Sequence, residues 1–353
     1  MRLLLSTDHP FPASPLGRAL DLGFELTNLC NLHCTHCIRG SHQTHIDSLD
    51  LDLIASIVDQ AREMFSTIEV VFTGGEPLSS ELFPKAVELL AARGVAYRFV
   101  TNGWLIPRHL PLLARYAPRL VRISLSGASR ESHDVQRGRG SFRRALVGAV
   151  ALMTRGIRAE LSFIINRHSR AELRQAVTLV EELGIPELHF ILPQPTPETA
   201  IDESDLSPDE WREATAEVLA LVATTSARVV MDYGVHMPLA ERRTCDAMKL
   251  RQLYVDAKGR ASFCCQLSRY GTGEDPVHGD LRAESLAAIM TRASATYASF
   301  GAETLRLQTI GSWDALDDYP CLSCARRHGK TEFLAAFPAH PWAGLARSSA
   351  RQS

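Results

Sequence analysis

Six short apolar runs alternate with amphipathic stretches between Asp21 and Leu192, and this alternation is the strongest constraint on the fold. Strand–helix–strand units joined by right-handed crossovers predict a parallel sheet with helices outside it, curled into a partial barrel. The periodicity alone does not exclude an open, doubly wound sheet. The predicted strands are Phe24–Thr27, Ile68–Thr73, Tyr97–Thr101, Val121–Leu125, Glu160–Ile165 and Glu187–Leu192.

Three cysteines, Cys30, Cys34 and Cys37, follow the first predicted strand with the spacing C-x3-C-x2-C. Loops at the carboxyl ends of strands carry the chemistry of α/β folds, and this loop lies at such an end. Three thiolates on one tight loop suit a [4Fe–4S] cluster whose fourth iron has no protein ligand and is open to a small molecule. Zinc is the alternative, although structural zinc requires four ligands and usually takes its cysteines from C-x2-C pairs.

Charge and apolar content exclude several classes of protein. The 353 residues carry a formal net charge of −2 with a pI of about 6.7, so no basic surface points to nucleic acid or to a membrane. No apolar stretch approaches the length of a membrane span, and the opening apolar run is too short for a signal peptide. Eight cysteines without an export signal indicate thiols in a reducing compartment, and we therefore predict a cytoplasmic protein.

The second predicted strand ends in Thr73-Gly74-Gly75-Glu76-Pro77. Two glycines allow the backbone to approach a ligand closely or to adopt a positive φ, and the proline fixes the direction in which the chain leaves. Taken alone, the segment is more simply explained as an ordinary strand-to-helix turn.

Four further cysteines that can act together lie in the last third of the chain, namely Cys245, Cys264, Cys321 and Cys324. The first two flank a predicted β-hairpin with Gly259 at its turn, and the other two form a C-x2-C pair. Four thiolates can close around a metal centre once the chain folds back on itself. Spacing alone does not choose between an iron–sulfur cluster and a zinc ribbon, for which His328 would be a further ligand.

The cysteine loop and the Gly-Gly-Glu-Pro turn, in this order, resemble the motifs of the radical S-adenosylmethionine (SAM) superfamily. In that family the loop reads C-x3-C-x-φ-C, where φ is usually aromatic and is here His36. The resemblance implies a partial (β/α)6 barrel and a catalytic [4Fe–4S] cluster whose open iron binds the amino and carboxylate groups of SAM. An electron, supplied by a flavodoxin or a ferredoxin, would cleave SAM to a 5′-deoxyadenosyl radical that takes a hydrogen atom from the substrate.

The resemblance also assigns contacts to SAM. The glycine-rich turn corresponds to the family motif that binds the SAM amino group. Relatives place a serine near the SAM ribose at the end of the fourth strand, an arginine of an H-D-x-x-R-G turn near its carboxylate, and a polar residue after the fifth strand near the adenine or ribose. At this fourth strand end, Ser126 replaces the aspartate that is usual in relatives. The residues carried over are Gly74, Gly75, Glu76, Ser124, Arg137 and Asn166.

The late cysteines resemble the SPASM and twitch domains that follow the barrel in one subgroup of the family. Their pattern is C-x(9–15)-G-x4-C, then Gly-Asp-Leu, then C-x2-C. No cysteine follows Cys324, so the resemblance implies one auxiliary [4Fe–4S] cluster, fully ligated by the four late cysteines, as in a small α+β twitch domain. The predicted divisions are a lead-in (1–20), the barrel (21–192), a linker with a barrel-closing helix (193–240), the auxiliary domain (241–330) and a tail (331–353).

Cys265 is left over from this set. On a hairpin strand its side chain would point to the opposite face from that of Cys264. It is either a small buried apolar residue or a hydrogen-atom donor that quenches a substrate radical and makes the reaction an epimerisation. Which of the two neighbouring cysteines binds the cluster also stays open. The acid–base residue is not chosen either, and the candidates near the junction are Glu203, Asp232, His236 and Asp246.

Relatives with this layout mature ribosomally made peptides, or oxidise and epimerise sugars and aminocyclitols. We rank maturation of a peptide or another natural product first, and a dehydrogenase or epimerase of a sugar or aminocyclitol second. Twenty residues before the barrel are too few for a peptide-recognition domain, which counts against a peptide substrate but does not exclude it, because a separate protein can bind the leader peptide. A non-catalytic, zinc-stabilised binding protein is the alternative from another class. It would explain the cysteines but not the Gly-Gly-Glu turn in its place.

Overall fold

The structure is a computed structural model that describes residues 4–5, 19–38, 45–231, 236, 245, 247–268, 278–311 and 313–344. Its strands are β1 Leu4–Leu5, β2 Ala19–Glu25, β3 Thr67–Thr73, β4 Ala96–Thr101, β5 Leu120–Leu125, β6 Ala159–Ile164, β7 Glu187–Ile191, β8 Arg228–Met231, β9 Gln252–Val255, β10 Arg260–Ser262 and β11 Gly279–Asp280. Its α-helices are α1 Leu51–Met64, α2 Leu82–Ala92, α3 Ile106–Arg115, α4 Arg130–Arg137, α5 Ser141–Met153, α6 Leu173–Leu183, α7 Pro197–Asp202, α8 Pro208–Val222, α9 Leu286–Ile310 and α10 Pro320–Arg327.

The order of the strands distinguishes a barrel from a doubly wound sheet. The sheet runs β1-β8-β7-β6-β5-β4-β3-β2-β9-β10-β11, and from β2 to β8 each strand is parallel to the one that follows it in sequence. Right-handed crossovers in an unreversed order place their helices on one face, whereas a doubly wound sheet reverses its order at a switch point. The strand order therefore favours the partial barrel over the open sheet. Beyond the predicted barrel range, β8 and the edge strand β1 extend the same sheet.

Alternation along the strands gives the sheet an apolar outer face. Leu22 and Phe24 of β2 are fully buried, as are Val70 and Phe72 of β3. Residues two apart on a strand share a face, so these side chains form one layer with the buried sides of the helices. The first helix begins where Asp50 accepts a hydrogen bond from the Leu53 amide at 2.8 Å, which caps one free backbone donor.

The opposite, inner face carries charges near the amino ends of the strands. Glu160, Glu187 and His189 are buried there with their ligand atoms within 4.8 Å of one another, a spacing compatible with a metal ion. However, Arg122 lies 3.2 Å from Glu160, and Arg158 lies 3.0 Å from Glu187. Burial acts to raise the pKa of Glu160, but the bond from His189 and the charge of Arg122 outweigh it and lower the pKa to about 2. These residues thus form an ion-pair network on the inner face of the sheet, near the amino ends of the strands.

The hairpin that follows the barrel is built onto the strand that leads to the cysteine loop. Strand β9 pairs in parallel with β2, and the turn before β10 is closed by Asp256, which accepts from the Arg260 amide at 2.9 Å. Tyr254 lies on β9 and donates its hydroxyl to the Glu25 carboxyl at 2.8 Å, with both residues at least 98% buried. A Cβ at position 23 would lie 3.0 Å from the Tyr254 ring, so the absence of a side chain at Gly23 leaves room for the ring. The hairpin between Cys245 and Cys264 is therefore anchored to the strand that leads to the early cysteines.

Replacing Tyr254 with phenylalanine tests this anchor. The change removes one hydroxyl donor from a buried carboxyl group, and we expect the loss of this hydrogen bond to lower the free energy of unfolding by about 2 kcal/mol. Urea unfolding checks this value. Tyr97→Phe is the matched control, because its hydroxyl donates to a neutral backbone carbonyl of Tyr116, where we expect about 1 kcal/mol. Equal stability of Tyr254→Phe and the parent protein would contradict the prediction.

The C-terminal segment packs against α8 and α10. Trp342 is fully buried, contacts the rings of Trp211 and Tyr319 at centroid distances of 4.9 and 4.7 Å, and donates its indole N–H to the Leu206 carbonyl. A cavity of about 370 Å³ lies between this segment and Arg167, which follows β6 at the carboxyl rim of the sheet. Among the described helices, none combines the length and apolarity needed to cross a membrane.

Candidate active site

The three early cysteines lie in the loop between β2 and α1, at the carboxyl rim of the sheet. Cys30, Cys34 and Cys37 are partly buried, and the Cys37 amide donates to the Cys34 carbonyl at 3.2 Å, so the last two share a turn. The loop also contacts α4, where the Thr35 amide donates to the Gln136 carbonyl at 3.0 Å. The predicted thiol trio is therefore held on one partly buried loop that contacts two separate parts of the rim.

The Gly-Gly turn after β3 packs directly on this loop. The Gly75 amide donates to the Thr27 carbonyl at 2.8 Å, and the Glu76 amide donates to the Leu29 carbonyl at 2.9 Å. A Cβ on Gly75 would lie 2.3 Å from the Leu29 oxygen, and Gly74 has a φ of +141° that side chains rarely adopt. The two glycines thus allow the loop and the turn to touch along their backbones. Their predicted contact with the SAM amino group stays a prediction.

The Glu76 carboxyl group is fully buried and joins the turn to the end of β4. It accepts from the Thr101 hydroxyl at 2.7 Å, from the Asn102 amide at 2.7 Å and from the Leu78 amide at 3.1 Å. Burial raises the pKa of Glu76 to about 7, against the lowering effect of these hydrogen bonds. Its position beside the loop agrees with a role in the site, and the hydrogen bonds give it a positioning role that the sequence did not reveal.

Arg137 ends α4 and contacts Ser126, which follows β5 beside the cysteine loop. Its Nε donates to the Ser126 hydroxyl at 2.6 Å, and the same hydroxyl lies 3.1 Å from Nε2 of His36 on the cysteine loop. Burial raises the pKa of the Cys34 thiol, and the charge of Arg137 partly offsets that rise. Burial lowers the pKa of His36 well below its usual range, and Arg137 and His133 lower it further. The cysteine loop therefore carries a neutral imidazole, and a guanidinium lies beside it.

The structure places the two remaining SAM candidates differently. Ser124 lies half-buried on β5 and is in register with Ser162 of β6 on the inner face of the sheet. Asn166 is buried, donates to the Gln136 side chain at 2.7 Å and accepts from the amides of His168 and Ser169. Ser124 is thus available to a ligand inside the barrel, whereas the Asn166 amide is already engaged in organising its own turn.

The thiols are arranged more widely than a single zinc ion requires. Zinc binds thiolates at about 2.3 Å in a tetrahedron, which places the sulfurs about 3.8 Å apart. Among the described residues, which include all eight cysteines, no three cysteine sulfurs lie within 4.8 Å of one another. A cubane cluster spreads its thiolates because each binds a different iron. Burial raises the pKa of Cys30 to about 12, so a metal that binds there must displace a proton.

Three other cysteines, Cys265, Cys321 and Cys324, lie near Cys264, and the Cys245 carbonyl accepts from the Lys249 amide at 3.1 Å. Burial raises the pKa of Cys264 well above the usual value, and the neighbouring charges of Cys265, Cys324 and Cys321 raise it further. Cys321 and Cys324 lie one turn apart on α10. The hairpin strand β10 ends at Ser262, so Cys264 and Cys265 lie in the turn that follows. The prediction that strand alternation separates their side chains was wrong, because this segment is not a strand.

Two histidines adjoin the late cysteines. The His278 ring is buried and lies with its centroid 4.0 Å from that of Phe263, and the His328 ring packs on Phe300 at 5.2 Å. His328 therefore takes part in an aromatic cluster beside the cysteines, and its role as a zinc ligand finds no support in the spacing of the described thiols and imidazoles.

The acid–base candidates are only partly described. Asp232 and Asp246 lie outside the described residues. His236 has its ring 5.2 Å from that of Tyr319, and Glu203 lines the rim cavity with a φ of +52°. The choice of an acid–base residue among them stays open.

One residue of the site, Asn102, was missed as a candidate. Its side-chain Nδ2 lies 3.9 Å from the Cys30 sulfur and 2.9 Å from the Asn31 Oδ1. In the sequence, Thr101-Asn102-Gly103 at the end of a predicted strand is explained at least as readily by a turn as by a ligand contact. Its position at a carboxyl strand end, two strands from the cysteine loop, is the signal that would have included it.

Comparison with known proteins gives both a family and a set of relatives. The model of the Radical SAM superfamily matches residues 24–202. The mycofactocin maturase MftC of Mycobacterium ulcerans (strain Agy99) is 33% identical over 171 residues, which cover 48% of this chain and 46% of that protein. The AdoMet-dependent heme synthase of Methanosarcina barkeri (strain Fusaro / DSM 804) is 28% identical over 195 residues, covering 54% and 55%. The chain thus matches about half the length of these curated relatives.

Solved structures resemble the fold over a longer span. SuiB of Streptococcus suis bound to S-adenosylmethionine aligns with a TM-score of 0.63 at 16% identity, over 77% of this chain and 65% of that chain. The anSMEcpe structure with bound AdoMet and the Cp18Cys peptide aligns with a TM-score of 0.59 at 18% identity, over 77% and 80%. At these identities the likeness concerns the fold alone, and it confirms the predicted α/β architecture with a partial barrel.

Proposed function

The chain belongs to the radical SAM superfamily, and on that premise we propose that it cleaves SAM reductively and abstracts a hydrogen atom from a peptide substrate. In this proposal Cys30, Cys34 and Cys37 hold the catalytic [4Fe–4S] cluster. The single observation that carries it is the backbone contact between the cysteine loop and the Gly74-Gly75 turn. That contact brings the thiols and the proposed SAM-binding turn together at one rim of the sheet.

A [4Fe–4S] cluster with an open iron, when bound, supplies the electron that splits SAM and the site at which its methionine group is chelated. The protein's own groups position SAM. Arg137 carries a guanidinium beside the cysteine loop, where it can pair with the SAM carboxylate in a charge-assisted contact. Ser124 offers a hydroxyl to the ribose from the inner face of the barrel, and the backbone of the Gly74-Gly75 turn binds the amino group.

The late cysteines form a second site in this proposal. Cys245, Cys264, Cys321 and Cys324 hold an auxiliary [4Fe–4S] cluster in a twitch-like domain over residues 241–330. Its full ligation by four thiolates suits electron transfer or structure rather than direct binding of substrate. The role of Cys265 as a hydrogen-atom donor stays a prediction. We also propose a reducing compartment such as the cytoplasm, because cysteines that hold clusters must stay in the thiolate form rather than pair as disulfides.

The peptide substrate is supported by the relatives rather than by the site. The sequence relative MftC is named a maturase, and the structures that share the fold include SuiB bound to its precursor peptide SuiA and anSMEcpe bound to a peptide. Because this chain matches only about half the length of MftC, we propose the peptide substrate and do not derive it. Flavodoxin or ferredoxin is the proposed source of the electron.

The test is an anaerobic assay of the reconstituted protein. With dithionite as reductant, we expect 5′-deoxyadenosine from SAM and about seven to eight irons per chain for two clusters. A colourless protein with stoichiometric zinc would instead support the non-catalytic zinc protein. Candidate peptides are sought among any small open reading frames beside the gene and are tested with deuterium at each carbon in turn. Transfer of deuterium into 5′-deoxyadenosine identifies the substrate, and its absence with every such peptide would contradict the peptide proposal.

A further inference from the structure

The orientation of the Asn102 side chain is fixed by its neighbours. The residue is 92% buried at the end of β4, and its backbone N–H is donated to Glu76. Its side-chain Oδ1 accepts from the Trp104 amide at 2.9 Å. A backbone N–H can only donate, so the carbonyl side of the Asn102 amide must face Trp104 and the NH2 side must face away from it.

The NH2 group therefore points at the cysteine loop. One of its two hydrogens is donated to the Asn31 Oδ1 at 2.9 Å, and the other to the Cys30 sulfur at 3.9 Å, within the longer reach of a hydrogen bond to sulfur. The opposite orientation would place Oδ1 of Asn102 against Oδ1 of Asn31 and against the thiolate. The Leu32 amide lies on the same sulfur at 3.5 Å, so Cys30 receives one backbone donor and one side-chain donor.

We propose that Asn102 sets the reduction potential of the catalytic cluster through this hydrogen bond to Cys30. The inference rests on the proposed function, since it requires the early cysteines to hold a cluster. Reduction adds one negative charge to the cluster and its thiolates, and a donor to a thiolate stabilises the more negative state more strongly. Asn102 is a positioning residue in this role, because it acts through Cys30 and not on SAM.

An EPR-monitored redox titration of the reconstituted protein tests the proposal without measuring turnover. In Asn102→Ala the donor is lost, and we expect the ratio of reduced to oxidised catalytic cluster at a fixed solution potential to fall about tenfold. For a one-electron couple this equals a midpoint lower by about 59 mV. Asn102→Asp keeps the acceptor for Trp104 but replaces the donor with a second oxygen near the thiolate, so we expect an equal or larger fall.

Asn28→Ala is the matched control. Asn28 lies on the same loop and also bonds it through its side chain, but to the His45 carbonyl at 3.0 Å and the Asp47 amide at 2.9 Å, away from the thiols. We expect it to leave the midpoint unchanged. Midpoints equal to the parent value in both Asn102 variants would overturn the proposal, as would loss of the cluster in both with intact circular dichroism. Failure of the parent protein to bind a cluster would instead refute the proposed function.

Discussion

Protein in which Cys30, Cys34 and Cys37 are all replaced by alanine should release no 5′-deoxyadenosine from SAM after anaerobic reconstitution. We also expect its iron content to fall from about seven or eight to about four per chain, because only the late cysteines would still hold a cluster. The His36 imidazole, which remains on the loop, cannot replace the three missing thiolate ligands. Colorimetric iron, the absorbance near 400 nm and chromatography of the SAM products measure the result.

Two companion variants make this experiment specific. Cys321→Ala with Cys324→Ala should remove the other half of the iron and leave the cluster on the early loop. Cys265→Ala should leave the iron content unchanged, because this thiol lies outside both proposed sets. A loss of about four irons in Cys265→Ala would assign the ligand to Cys265 rather than Cys264. SAM cleavage by the triple early variant at the parent rate would contradict the assignment of the catalytic cluster.

The barrel could be predicted from the sequence because the patterns that indicate its strands and helices are local. Each apolar run and each amphipathic stretch is visible in a short window, and right-handed crossovers order the strands once they are known to be parallel. The pairing partner of a strand is not local. Nothing in Leu253-Tyr254-Val255 indicates that the hairpin pairs in parallel with β2, or that Tyr254 meets the buried Glu25. The link between the two cysteine groups therefore emerged only from the structure.

The candidate site divides in the same way. Cysteine spacing and the paired glycines are patterns along the chain, so both were accessible from the sequence. Asn102 and Ser126 matter through contacts with Cys30 and His36, residues far away in sequence, and such contacts depend on how the strand ends are arranged around the rim. For Cys265 a local pattern was misleading. The sequence predicts a strand there, and hence opposite faces for Cys264 and Cys265, but the structure has a turn at this position.

Gly75→Ala should have the second large effect, although alanine adds only one methyl group. The new Cβ would lie 2.3 Å from the Leu29 carbonyl oxygen and 2.4 Å from that of Asn28, and both are backbone atoms that cannot rotate away. Relief requires the cysteine loop to move off the turn, which breaks the bonds from the Gly75 and Glu76 amides. We expect a loss of about 3 kcal/mol in the free energy of unfolding and little iron on the early cysteines.

Gly301→Ala is the control that separates this contact from a general intolerance of alanine. Gly301 lies inside α9 with no atom within 4 Å of the added Cβ, so we expect unchanged iron and a stability equal to or up to about 1 kcal/mol above the parent value. Urea unfolding and iron analysis of the two variants decide the matter. If Gly75→Ala retained the parent stability and the catalytic cluster, the tight contact between the turn and the cysteine loop could not be what holds the thiols in place. The Gly74-Gly75 turn would then have to be positioned by Glu76 and its bonds to Thr101 and Asn102 instead.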